Sequence, residues 1–250
     1  MILSNTDEIT IFNTLAKEQE KVDYAVRKAF NKAKSNFFKC NRFPYVYTEL
    51  YTHPESKNTY LIYYYADSKK AAMYVTVHSG GVLLVNEDNG NRSVYRIRLF
   101  TDVVKENSIY DEEFDSLSHY TGHFFSRYRE RAKVSSDYNT LEGIAIFFGR
   151  NSRFDAKLHE NEVIKFPEKY KNCVAYQIQD GVTFGSEYKK GNILCVEYKT
   201  FLSSSELKEN QMEHVMQTND LYEIIEDMKK SVVPKGEGRI SASLFHNKLH

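Results

Sequence analysis

Between residues 43 and 100 the chain keeps repeating one unit, a short run of apolar residues closed off by turn formers. FPYVYTELYT, NTYLIYYYAD, AAMYVTVHS, GGVLLVNED and SVYRIRLFT are the runs, with HPESKN, SGG and EDNGN as the clearest breaks. Runs of β-branched and aromatic residues with a period near two describe strands. Links this short cannot carry a crossover, so the five strands are expected to run antiparallel, each beside the last. Asn89-Gly90 marks a hairpin, because both central residues of a type I′ turn need positive φ. In the last run Tyr95, Ile97 and Leu99 alternate with Arg96 and Arg98, leaving one face wet.

A sheet of this kind needs a cover, and the sequence places one ahead of it. Across residues 6–38, Phe12, Leu15, Val22, Val26, Ala29, Phe30, Ala33 and Phe37 recur at three- and four-residue steps, with no Pro or Gly between them. Asn5 and Glu8 have capping-box spacing at its start.

Beyond the sheet, six acids and one base fall between 102 and 115, a solvated stretch that suits a boundary. Helices are expected at 115–133 and 139–150, the second capped by Asn139. VAYQIQ, VTFG and NILCVEYKTFL then read as a three-strand meander over 173–202. A bulged turn with Gly181 in the left-handed region would pair Ile178 with Val182 and keep one face apolar. In its last strand Leu194, Val196, Tyr198 and Thr200 share a face. Ser203 and Glu206 have the spacing to start a helix, another follows from about 220, and residues 234–250 read as a loosely held tail. The expected architecture is α+β. It comprises a helix-plus-sheet unit over 1–105 and a helical and meander unit over 106–233, as two lobes or one body.

Charge and cysteine usage narrow the function. With 34 basic and 34 acidic side chains the molecule offers nucleic acid no overall attractive field. Three widely spaced cysteines (Cys40, Cys173, Cys195) without a C-x-x-C pair argue against a disulfide framework or zinc knuckle. No signal peptide or membrane-length apolar run is present, so a cytoplasmic protein without membrane contact is expected.

One stretch concentrates reactive groups: SHYTGHFFSRYRERA, residues 118–132. If it is helical, Asp115, His119, His123, Arg127 and Arg131 form a ridge beside the stripe Leu117, Tyr120, Phe124 and Tyr128. Gly122 disfavours an unbroken helix, and a start near Thr121 would put His123 in a first turn. Imidazole beside two guanidiniums suits phosphoryl chemistry, with His123 moving a proton and Arg127 and Arg131 holding phosphate oxygens. The same pattern also describes a solvated helix face with Glu130 pairing to Arg127 or Lys133. His119 and His123 have metal-pair spacing, but Tyr120 stands where a zincin carries glutamate, and no metal or other cofactor is expected.

H-x3-R-x3-R on a helix followed by antiparallel strands with a late Thr resembles the metal-independent ribonuclease toxins of the barnase, colicin and RelE type. The matching positions are His123, Arg127 and Arg131 in HFFSRYRER and Thr200 in VEYKTFL, within residues 119–202. The resemblance implies RNA cleavage with those four as catalytic residues, and His119, Tyr120 and Arg129 as substrate contacts. About forty residues between helix and meander, and the N-terminal hundred, have no counterpart in those toxins. The second reading is a non-catalytic binding or regulatory protein, of phage or mobile-element type, that meets a protein partner through its tyrosine-rich strands.

Overall fold

A computed structural model of the chain describes residues 1–69, 78–99, 115–151, 156–158 and 173–206. The first helix is α1 (Glu8–Lys39), followed by β1 (Tyr45–Thr52), β2 (Thr59–Ala66), β3 (His78–Asn86) and β4 (Arg92–Arg98). These four strands pair antiparallel in chain order, and the links before β2 (53–58) and before β4 (87–91) are too short for a crossover. Then come β5 (Asp115–Tyr120), α2 (Gly122–Arg131), α3 (Thr140–Arg150), β6 (Ala156–Leu158), β7 (Cys173–Ile178), β8 (Gly181–Lys190) and β9 (Ile193–Ser203). All nine strands form one sheet, in the order β1-β2-β3-β4-β5-β9-β8-β7-β6. Strands from both expected units therefore share it. The β5–β9 pair is parallel, and the described pairs on either side of it are antiparallel.

Helices cover both faces. On one, Ile11, Leu15, Val22, Ala29 and Ala33 of α1 meet Tyr60, Ile62, Tyr64, Leu83 and Cys195. On the other, Phe124, Tyr128, Ile144, Phe147 and Phe148 of α2 and α3 meet Leu61, Tyr63, Val94, Tyr120 and Tyr198. This double cover explains TYLIYYYA, an apolar run whose alternate residues serve opposite faces. It also relocates the tyrosines. Tyr60, Tyr63, Tyr64 and Tyr65 are interior rather than a contact surface. Three of these phenols find acceptors, as buried tyrosines usually do: Tyr64 donates to Val26 O, Tyr60 to Glu18, and Tyr65 to Asp67.

Several local expectations change for identifiable reasons. SGG is not a break but part of β3. A Cβ on Gly81 would lie 2.3 Å from Val22 Cγ1, and one on Gly80 2.9 Å from the Tyr63 hydroxyl oxygen, so these glycines admit a helix and a ring. The third run, AAMYVTVHS, falls largely on residues outside those described, and four strands rather than the expected five are described between residues 43 and 100. At the β3–β4 hairpin only Gly90 takes positive φ (81°), and Gly90 N donates to Glu87 O, so the loop is longer than a two-residue type I′ turn. The β7–β8 register is Ile178↔Gly181 and Gln177↔Val182, not the bulged pairing. The expectation assumed one polar face, whereas Gln177 and Thr183 are both fully buried. The N-cap of α1 is Asp7, whose carboxylate accepts from Thr10 N at 3.0 Å, not Asn5. Asn139 does cap α3, in a reciprocal box with Glu142.

The largest change concerns 115–133. Its first half is β5, central in the sheet, and only Gly122–Arg131 is helical. Thr121 caps α2 by accepting from Phe124 N at 3.2 Å, and the Glu87 carboxylate accepts from Gly122 N at 2.8 Å. A side chain at 122 would meet Asn91 Cβ at 2.5 Å, so the glycine belongs to a close hairpin–helix contact. Of the C-terminal segment, a short 3₁₀ turn (Ser204–Glu206) is described, where Ser203 N donates to Glu206 Oε2 at 2.9 Å. The helix expected from 220 and the 234–250 tail lie outside the described residues, as does most of the acidic connector. No helix among the described residues is long and apolar enough to cross a membrane.

Candidate functional site

Because His119 is on a strand, its neighbours are set by sheet register. Tyr95 of β4 pairs with His119 of β5, His119 with Glu197 of β9, and Glu197 with Ser186 of β8. Paired residues point to the same side, so this row crosses four strands on the α1 face. The next row holds Ile97, Leu117, Cys195 and Tyr188. The first turn of α1 descends beside both rows, and a cavity of about 220 Å³ opens between them. Tyr95, His119, Tyr188, Cys195, Glu197 and Glu8 are among its walls. At about 30 Å³ per non-hydrogen atom, the density of liquid water, it holds a molecule of about seven such atoms.

The rings of Tyr95 and His119 stack at 4.3 Å with 3° between their planes. Burial pushes the imidazole pKa down, more strongly than Glu197, Glu87 and Glu8 pull it up, and Lys199 adds to the downward push. The ring is therefore neutral at pH 7. Its Nδ1 lies 3.9 Å from Glu197 Oε1, which favours the tautomer with the proton on Nδ1. Nε2 is then an acceptor, buried and without a hydrogen-bond partner among the described residues. Such an orphan costs about 1–3 kcal/mol and calls for an explanation in terms of strain or function.

The charged groups are ordered by depth. Glu8 accepts from the Tyr188 hydroxyl at 2.8 Å and pairs with Lys190 at 3.3 Å, while Glu197 pairs with Lys199 at 2.9 Å. The carboxylates are about 30% exposed and the ammonium groups about 50%, and only the carboxylates line the cavity. Burial pushes the Glu8 pKa up, but hydrogen bonds from its own backbone, Tyr188 and Lys190 outweigh this and hold it below the usual value. Burial raises the Cys195 thiol to about 11, which disfavours its thiolate. Burial, then Glu8 and Glu197, raise Tyr95 to about 12.

The four residues expected to act on RNA are not gathered around one pocket. His123 is exposed in the first turn of α2. Arg127 pairs with Glu130 at 2.9 Å, the solvated-face alternative. Arg131 donates to Phe201 O and lies 3.5 Å from Glu206, tying α2 to the end of β9. Thr200 belongs to the opposite face. Lys199 is the extra residue of a bulge, since Gly185 pairs with Tyr198 and Phe184 with Thr200. The bulge lets Tyr198 and Phe201 both point to α2, so Thr200 faces the α1 side. Among the expected substrate contacts, Tyr120 is buried and stacked on Tyr198 at 4.5 Å, and Arg129 donates to Tyr138 O at 2.6 Å beneath the α2–α3 link. The four-residue helical spacing of His119 and His123 is lost because the strand ends between them.

Of this cavity's walls, only His119 carries a functional expectation from sequence, and it does so on a helix rather than a strand. In sequence Glu197 lies off the face shared by Leu194, Val196 and Tyr198, and Tyr95 lies on the apolar face of its strand. The missing signal was register: nothing local places β5 between β4 and β9. No protein-family model, no curated protein and no solved structure matches the chain.

Proposed function

We propose that this protein binds a small molecule, and that the cavity on the α1 face takes a compact organic cation with an aromatic or apolar body. The observation that carries the reading is the ordering of groups around His119. Two carboxylates turn inward, their lysines turn outward, and stacked rings form a wall. A ligand ammonium would meet Glu197 and Glu8, and its body would lie against Tyr95 and Tyr188. An anion would face both carboxylates and a neutral imidazole.

Benzylamine, benzyl alcohol and benzoate differ mainly in the charge of one small group and serve as probes in calorimetric titration. For eight non-hydrogen atoms at about 0.5 kcal/mol each, benzylamine binds with Kd of about 1 mM. Benzyl alcohol binds more weakly and benzoate shows no heat. Glu197→Gln preserves shape, removes the charge, and weakens the amine about tenfold, as expected for loss of one charge-assisted contact. Benzoate binding as well as benzylamine, or an unchanged amine affinity in the variant, overturns the proposal.

The RNA-cleaving reading rests on the toxin resemblance and on exposed His123, and the separation of Thr200 from α2's exposed face gives it less support. Chelator-resistant cleavage of a generic RNA that disappears in His123→Ala would restore it.

A further inference from the structure

A second cavity, of about 300 Å³, lies at the end of the sheet where β2 begins and β3 ends. The segment Met1–Leu3 forms one wall, held there because Ile2 N donates to Asn58 Oδ1 at 2.8 Å and Leu3 N to Thr6 Oγ1 at 2.9 Å. Its apolar lining is unusually open to water. Of the six large apolar side chains exposed among the described residues, Met1, Leu3 and Leu50 border this cavity. Leu84 and Val85 continue the apolar surface inward. Exposed apolar groups gathered at a concavity mark a binding surface more often than scattered ones do.

The charged lining is of one sign. Lys57 and Arg92 border the cavity, and no carboxylate is among the described residues that line it. The acids next in sequence are engaged elsewhere: Glu49 accepts from Lys32 and Tyr47, and Glu87 from Gly122 N. We infer that this cavity binds a small amphiphilic carboxylate, its tail on Leu50, Leu84 and Leu3 and its head toward Arg92. At about 30 Å³ per non-hydrogen atom the volume holds about ten such atoms, the size of octanoate. A guanidinium recognises a carboxylate by two parallel hydrogen bonds, which supplies the head-group preference.

The site is independent of the cation cavity, and the experiment keeps them apart. Octanoate, octan-1-ol and octylamine are titrated into the full chain and followed by amide chemical shifts. Octanoate shifts resonances of Leu3, Leu50, Leu84 and Arg92, and octan-1-ol and octylamine bind less tightly. Arg92→Glu weakens octanoate about tenfold or more, the value of a lost charge-assisted pair, and Leu50→Asp weakens all three. Both positions are exposed, so both variants keep the wild-type amide spectrum elsewhere. Glu197→Gln leaves octanoate affinity unchanged. Absence of octanoate binding at millimolar concentration, equal affinity for the alcohol, or an Arg92→Glu variant that binds octanoate normally overturns the inference.

Discussion

Glu18 is a carboxylate in the interior, 4% exposed beneath α1, and its replacement gives the sharpest test of how that helix is held. Asn58 Nδ2 donates to both of its oxygens at 3.2 Å, the Tyr60 hydroxyl donates to Oε2, and His53 Nδ1 lies 3.8 Å from Oε1. In Glu18→Ala two buried donors lose their acceptor, at about 1–3 kcal/mol each. Loss of packed methylene groups adds about 0.8 kcal/mol apiece. Burial pushes the Glu18 pKa up, but hydrogen bonds from Tyr60, Ser56 and Asn58 outweigh it, and the folded value falls below the ordinary one. The stabilisation is thus fully present above the unfolded pKa and fades as pH drops through the folded value. Urea unfolding at pH 7 should show Glu18→Ala about 4 kcal/mol less stable than wild type, the range for removing one partner from a buried charged cluster. That corresponds to a Tm lower by about 8–16 °C for a chain of this size. Glu18→Leu combined with Tyr60→Phe removes one of the two stranded donors and should recover part of the loss, Asn58 being kept because its Oδ1 accepts from Ile2 N at 2.8 Å. A loss below about 1 kcal/mol in Glu18→Ala would refute the reasoning, because two stranded donors alone exceed it.

Other outcomes follow from single contacts. His119→Phe keeps the stack on Tyr95 and removes the orphan nitrogen, so it should be at least as stable as wild type by urea unfolding, while losing benzylamine affinity; a loss above about 1 kcal/mol would mark the imidazole as a structural group. Because folding lowers the His119 pKa, the unfolded chain takes up its proton first. This residue's contribution to stability is full above pH 6.5 and declines below it, and the pH dependence below 6.5 should flatten in His119→Phe. Gly149→Ala places a methyl 2.2 Å from Tyr65 Cγ, and overpacking of that kind should cost about 1–3 kcal/mol in thermal unfolding.

The parts of this fold legible in the sequence are those set by neighbouring residues. The length of α1, the Asn139 cap and the antiparallel order of β1 to β4 follow from periodicity, capping chemistry and link length. What sequence could not supply is pairing between distant segments. DSLSHY has the alternation of neither element strongly, and its place between β4 and β9 depends on residues 193–203, over seventy positions away. With His119 on a helix, its neighbours would lie at four-residue steps along that helix. They are in fact Tyr95 and Glu197, one strand away on either side. Thr200 was misplaced for a related reason, since a bulge at Lys199 reverses alternation and leaves no local mark. Gly122 was informative, and the helix start it indicated is the one found.

The central claim, that the space beside His119 receives a cation, is tested most directly by a crystal structure of the full chain soaked with benzylamine. The account expects density for the amine between Tyr95, Tyr188 and Glu197, its nitrogen within hydrogen-bond distance of the Glu197 carboxylate. An empty cavity at saturating amine, or a ligand seated there with its nitrogen turned away from both carboxylates, would contradict it.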